Sequence, residues 1–311
     1  MQSPQIRRAD LPPRAGRVVV VGSVNCDHIV AQPRLPLPGE TMFGRSFATI
    51  AGGKGLNQAV AAARMGSDVA VIGPVGEDAR GEELIAVLAG EGVDVTRLVV
   101  QPGAVTGTAH VSVLESGENS IVVVPGANAS AGWSSADEAA VWAASVVMAQ
   151  LERPLGLVRA AFDSAREHGA LTVLTPAPVV PEARALFPLV DVLLLNALEA
   201  RTLTGVESVR RAAEHLSRTV DLVIVTRGSR STLVAQRGSI VAETPARRVD
   251  VVDTTGAGDC FAGALVARLV AGDSLPQALE WATLAASVSV TRRGASSSVP
   301  NWEELATLSG G

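Results

Sequence analysis

The stretch LNQAVAAARMGSDVAVIG, residues 56–73, sets an Ala-rich helical pattern (56–66) directly before a short β-branched run (68–73). The run is apolar at consecutive positions, so a strand made from it must be covered on both faces. The same alternation extends in both directions. RVVVVG (17–22) precedes it as a strand, and GEELIAVLAGEG (81–92) follows as a helix. Beyond these come ASVVMAQL (144–151), a helix over 154–168, ALTVL (170–174), DVLLL (191–195) and DLVIVT (221–226). Strands buried on both faces and alternating with helices predict an α/β fold, a sheet between helical layers.

Two segments break this rhythm. Residues 28–50 and 105–124 hold strands with no helix between them, and the second turns back on itself at ESGEN (115–119). Strand pairs inserted into an α/β core are expected to form either a surface embellishment or a flap that gates a site. No repeat, linker or low-complexity tract divides the chain, so the expectation is one domain over 17–308 with a small lid. Residues 1–16, with three prolines and no apolar core, read as a loose tail rather than a secretory signal.

Composition excludes several functions. The 311 residues are 47% hydrophobic and only 3% aromatic, with no Tyr, so platforms for stacking bases are scarce. A net charge of −5 argues against a duplex-binding surface, and no nucleic acid partner is expected. Apolar runs such as VWAASVVMA (141–149) fall well short of a membrane span. Cys26 and Cys260 are the only cysteines and stand far apart, which fits neither a disulfide scaffold nor a structural zinc site and points to the reducing cytoplasm.

Two glycine-rich stretches carry the chemistry. In ATIAGGKGLNQA (48–59), Lys54 is followed by Gly55 rather than Ser or Thr, and Ala48 stands where a P-loop needs its first glycine. In GAGDCFAG (256–263), position 261 is Phe, where a dinucleotide fingerprint needs its third glycine. GAGD nevertheless lies between a strand-like run and the apolar helix CFAGALVARLVAG (260–272), so it opens that helix. Free N–H groups and the positive end of the dipole make such a place an anion site. Asp259 in the first turn either complements that dipole or acts as a general base beside the anion. GGKGLNQ poses a matching choice, between a turn with a solvated Lys and a polar cluster in which Lys54 and Asn57 grip a polyhydroxylated ligand. Asn25 and Asp27 follow the first strand, where open α/β sheets bind ligands, and a carboxylate there can accept from two neighbouring hydroxyls.

Together AGGKGLNQAVAAARMG (51–66) and VDTTGAGDCFAGAL (252–265) resemble the two signatures of the PfkB, or ribokinase-like, family of sugar kinases. GSVNCDHIV, PLPGET, MAQLERP, NALE, TRGSRS and VTRRGASSSVP follow the same pattern, so the resemblance runs from about Arg17 to about Leu308. It implies a three-layer α/β/α sandwich with a β-strand lid, and transfer of phosphate from ATP to O5 of D-ribose. Asn25, Asp27, Gly53, Lys54, Asn57 and Glu152 would then contact the sugar. Asp259 would be the base, and the backbone of Gly256, Ala257 and Gly258 the hole for the transferring phosphate. Asn196 and Glu199 would organise Mg²⁺ and the phosphates, and Thr226, Gly228 and Ser229 would hold the nucleotide. A K⁺ ion would take oxygens from Asp253, Thr255, Ser289, Arg292, Gly294 and Ser298. The lid would also serve as a homodimer contact. Ala197 replaces a carboxylate common in the family, Ser231 a glycine, and His110 an apolar residue on the sugar-facing flap. The resemblance leaves open 2-deoxyribose, another pentose or hexose, a nucleoside, or a non-catalytic sugar-binding regulator.

Overall fold

A computed structural model describes residues 16–116 and 119–309; the sequence read as a tail lies, except for Gly16, outside them. The chain runs β1 (Arg17–Val21), β2 (Asn25–Gln32), β3 (Ser46–Gly52), α1 (Lys54–Arg64), β4 (Val69–Gly76), α2 (Ala79–Gly90) and β5 (Leu98–Gln101). It continues with β6 (Gly107–Leu114), β7 (Asn119–Val124), α3 (Ser135–Trp142), β8 (Ala144–Gln150), α4 (Leu155–Glu167), β9 (Leu171–Thr175) and β10 (Val192–Asn196). Then follow α5 (Ala197–Thr204), α6 (Val209–Leu216), β11 (Leu222–Thr226), β12 (Ser231–Gln236), β13 (Ser239–Pro245), α7 (Ala257–Val270), α8 (Leu275–Ser289) and α9 (Trp302–Ser309).

Nine strands form the main sheet in the order β13-β12-β11-β10-β9-β8-β1-β4-β5. The pairs from β11 to β5 are parallel, and β12 and β13 add an antiparallel edge. The valines of β1 show why the layers form. Val18 and Val20 point into a cluster with α1, α7 and α8, whereas Val19 and Val21 point into a second cluster with α4, α5 and α6. Period-two alternation thus sends consecutive apolar residues to opposite helical layers. Each fully buried side chain of this size contributes about 1.5–3 kcal/mol. The fold is a three-layer α/β/α sandwich.

β3, β2, β6 and β7 form a separate four-stranded sheet. β2 pairs parallel with β6 and antiparallel with β3, and β6 pairs antiparallel with β7. This sheet starts earlier than expected: Asn25 and Asp27 are not loop residues but the first rungs of β2, paired with Gly52 and Ile50 on one side and Gly107 and Ala109 on the other. Pairing with two neighbours satisfies backbone groups that a loop would leave to solvent. The expectation for His110 also changes. It registers with His28, one step from the Asp27–Ala109 pair, so the pleat turns it to the face opposite Asp27. The His28 and His110 rings lie 5.3 Å apart there, and His28 stacks on Phe47. Among the described residues no helix is long and apolar enough to cross a membrane.

Candidate active site

The strand ends and helix starts converge at one edge of the main sheet. α7 begins at Gly256, which takes φ +72° and offers no side-chain cap. The N–H of Ala257 turns back to the Thr254 carbonyl (3.2 Å), and those of Gly258 and Asp259 have no acceptor among the described residues. A Cβ at Gly258 would meet nothing within 4 Å, so this glycine faces open space. Its lack of a side chain serves the approach of a ligand to the backbone rather than packing. Gly263, one turn and a half further on, has the opposite reason: a Cβ there would fall 2.5 Å from Ala61, where α7 crosses α1.

Asp259 sits in the first turn of α7 and is 9% exposed. Its two oxygens are held separately: Asn57 donates to Oδ2 (3.1 Å) and Gln58 to Oδ1 (2.9 Å). Gln58 also donates to the Thr175 hydroxyl (2.9 Å) and accepts from Gln150 (2.6 Å). Because α1 begins at Lys54, two residues earlier than the sequence pattern predicts, Asn57 and Gln58 lie in its first two turns, facing α7. The Lys54 ammonium is held above its ordinary value chiefly by Asp259, with Glu152, Glu199 and Asp27 adding to it against burial.

Asp27 approaches the same place from the small sheet. Burial, with the Glu152 and Asp259 charges adding and Lys54 opposing, pushes its carboxyl up to about 7. Its Oδ1 is buried without a partner, and so is Oδ1 of Asn57. Buried polar atoms are rarely left unpaired, so both mark positions for a ligand's hydroxyl groups. Glu152 is partly committed already, since its Oε2 accepts from the Ser23 hydroxyl and from the Lys54 backbone N–H (3.1 Å). Gly53, at φ +89°, makes the bend that brings Lys54 in.

An open cavity runs from there to the ends of β10 and β11, lined by Lys54, Asn196, Glu199, Thr226, Thr254 and Gly256 to Asp259. Asn196 and Glu199 form a reciprocal capping box at the start of α5, each side chain accepting from the other's backbone N–H. Burial raises the Glu199 carboxyl, with the Asn196 N–H and Lys54 opposing. Gly228 and Ser229 lie outside this lining, on the exposed turn between β11 and β12. Cys260 is enclosed, and burial pushes its thiol up to about 12, which leaves it unreactive.

Behind the start of α7, two loops are joined by Asp253. Its Oδ1 accepts from the Thr255 N–H (2.9 Å) and hydroxyl (2.7 Å), and its Oδ2 from the Gly294 N–H (2.9 Å). Burial opposes ionisation there, but these bonds outweigh it and hold the carboxyl below the usual range. The Ser289 carbonyl accepts from the Arg292 N–H (3.0 Å), and the Ser298 hydroxyl donates to Ala295 (2.8 Å). Among the described residues no three His, Cys, Asp or Glu side chains are grouped to hold a metal ion.

Several members of the site escape a reading of sequence alone. Gln58 follows Asn57 within GLNQ, and its amide could have been taken with its neighbour's. Gln150 and Glu152 share one strand end, but only the second has a charge to attract notice. Thr175, which accepts from Gln58, carries no local signal; only the fold brings it here.

Comparison with known proteins accords with this geometry. Residues 15–302 match the model of the pfkB family carbohydrate kinases. The ribokinase of Haemophilus influenzae is 37% identical over 295 residues, 92% of this chain and 96% of that protein. A deoxyribokinase of Salmonella typhi is 33% identical over 297 residues, covering 93% of this chain and 97% of its own. The structure of Arabidopsis thaliana ribokinase complexed with ribose and ATP superposes with a TM-score of 0.87 at 32% identity, covering 96% of this chain and 98% of that one. With the fold, the match over nearly its whole length and these relatives in agreement, the chain belongs to the pfkB family of carbohydrate kinases.

Proposed function

We propose that the protein transfers the γ-phosphoryl group of ATP to O5 of D-ribose, giving D-ribose 5-phosphate and ADP. The observation that carries this is Asp259: a buried carboxylate held by Asn57 and Gln58 at the open end of α7, beside the free N–H groups of Gly258 and Asp259 itself. A base and a phosphate hole share one helical turn, as attack of a hydroxyl on a phosphoryl group requires. Asp259 accepts the O5 proton as the new P–O bond forms and the bond to ADP breaks. The N–H groups and Lys54 stabilise the charge on the transferring oxygens, and most of the rate comes from this positioning.

Asn25, Asp27, Gly53, Lys54, Asn57 and Glu152 would hold the sugar, and the unpartnered Asp27 and Asn57 oxygens fit a ligand rich in hydroxyls. Asn196, Thr226, Gly228 and Ser229 would hold the nucleotide. Glu199 lines the cavity but spends one oxygen on the Asn196 N–H, which suits an indirect role toward Mg²⁺. K⁺ would take oxygens from Asp253, Thr255, Ser289, Arg292, Gly294 and Ser298, a donor set that suits a hard cation. When bound, these cations would neutralise phosphate charge. The small sheet would act as a lid and, through its exposed Phe47, Ile121 and Val122, as the contact of a homodimer. Both cysteines are free and buried, which suits a reducing compartment, and the cytoplasm is the proposed setting.

A coupled assay for ADP, run over ribose, 2-deoxyribose, other pentoses, hexoses and nucleosides with and without K⁺, tests the proposal. Ribose should give the highest kcat/KM, and K⁺ should raise it. Equal kcat/KM for ribose and 2-deoxyribose would remove the diol-reading role of Asp27. Sugar binding without turnover would replace the kinase by a sugar sensor.

A further inference from the structure

We infer that Asn128 is a positioning residue of the sugar site, which decides the end of the Asn25 amide that meets the substrate and ties the roots of the small sheet together. This rests on the sugar-kinase reading above. Asn128 lies in the short 3₁₀ turn Gly126–Ala129, just after β7, and is 1% exposed. Its Oδ1 accepts from the Val24 N–H (3.2 Å), and its Nδ2 donates to the Val24 carbonyl (3.1 Å) and to Asn25 Oδ1 (2.7 Å).

The order of these bonds removes any ambiguity of orientation. A backbone N–H can only donate, so the oxygen of Asn128 must face Val24 N, and its amino group must face Asn25. Asn25 can then answer only with its own oxygen, which leaves its Nδ2 as the free end. Asn57 is fixed by the same logic in the opposite sense. Its amino group is spent on Asp259, so an oxygen is left for the ligand. The sugar therefore meets a donor at Asn25 and an acceptor at Asn57, and neither polarity is set by the residue itself.

Asn128 also spans the roots of the small sheet. Val24 leads into β2, Asn128 follows β7, and β6 begins between them at Gly107. A Cβ on Gly107 would fall 2.3 Å from Asn128 Nδ2 and 2.4 Å from Asn25 Oδ1, so the three roots close on this amide pair. A sugar hydroxyl bound at Asn25 is thus one hydrogen bond from the root of the sheet that carries Asp27.

The test is Asn128→Asp, which keeps the shape and the bond to Val24 N–H but cannot donate. Asn25 should turn over, giving its amino group to the new carboxylate and its oxygen to the substrate. KM for ribose is expected to rise about tenfold or more, with kcat and KM for ATP little changed. In an Asn25→Ala background the same substitution should raise KM clearly less, because the amide through which it acts is gone and only the bond to the Val24 carbonyl is left to lose. Equal penalties in both backgrounds, or an unchanged KM, would overturn the assignment. If the variant does not fold, the wild type decides. The side-chain amide NMR signal of Asn25, identified by its loss in Asn25→Ala, should shift when ribose is added, and an unmoved signal in the ribose-saturated enzyme overturns the inference. Wild-type protein that neither binds nor phosphorylates ribose overturns the proposed function and this inference with it; ribose turnover with additive effects overturns only the role of Asn128.

Discussion

Val18, Val19, Val20 and Val21 in β1 are wholly buried, whereas Ile121, Val122, Val123 and Val124 in β7, equally apolar, are 41% to 62% exposed. β1 lies in the middle of the main sheet with helices on both sides; β7 is the edge of the small sheet, and every one of its residues is exposed. The same residue types therefore do different work. In the main sheet they carry the free energy of folding; in the small sheet they contribute little to it and remain available for a ligand or a second copy. The site takes Asp259 from a helix packed on the first region and Asp27 from the second, so the two regions meet at one point.

The largest effect should fall on the main sheet. Phe162 in α4 is fully enclosed in the cluster that also holds Val19 and Val21. Phe162→Ala should destabilise the protein by about 3–5 kcal/mol in urea unfolding. A loss below about 1 kcal/mol would mean the core is far looser than its burial implies, and the contrast between the sheets would collapse.

Next in size is Asp259→Asn. It keeps the shape of the side chain and removes the base, so kcat should fall on the order of a hundredfold or more, while its amino group, set against the Asn57 or Gln58 donor, should lower stability by about 1–3 kcal/mol. Near-normal turnover would take Asp259 out of the base role and leave it a dipole partner for α7.

The two regions were unequally legible in the sequence. Strands such as 17–22 and 221–226 could be read because double burial leaves continuous apolar runs, and their ends shift by only a residue or so. The first strand of the small sheet could not. NCDHIVAQ mixes polar and apolar residues, and its rungs are set by partners 15 to 82 residues away, which no local pattern encodes. Asp259, Lys54 and Asn57 stood out because glycines and charges cluster around them. Gln58, Gln150 and Asn128 act through amides whose partners come from other elements, so the fold had to be known first. His110 was misplaced because the face of a strand residue depends on register, and one step reverses it.

Asp27 links the regions in energy as well as in space. Its carboxyl is raised to about 7 in the folded chain, against an ordinary value of 3.8. Ionising it therefore costs stability: nothing below about pH 4, progressively more as pH rises, and the full amount above pH 7. Asp27→Asn should accordingly raise the melting temperature at pH 8, and this gain should vanish as pH falls toward 4. The same change should raise KM for ribose by roughly tenfold. Hydroxyl groups donate to the ionised form, so wild-type KM should fall between pH 6 and pH 8, a trend absent in the variant. Stabilisation that persists at pH 4 would show that shape, not charge, is responsible.

The smallest effect on folding should come from the small sheet itself. Phe47 is 65% exposed and Ile121 52%. By register Phe47 shares the face of His28, and Ile121 shares that of Asp27, so the two sample both sides of the sheet. Ile121→Ser should change the unfolding of dilute protein by less than about 0.5 kcal/mol, and Phe47→Ser, which loses the stack on His28, by about 0.5–1.5 kcal/mol. Association should respond instead. If the proposed homodimer forms through this sheet, sedimentation of the wild type gives a two-chain species, and at least one of the two variants shifts it toward the single chain at the same concentration. A wild type that sediments as one chain at every concentration would remove the dimer. It would also leave the exposed strand with the substrate alone as a reason for its apolar faces, and KM for ribose in Ile121→Ser, on the Asp27 face, would then be the quantity that moves.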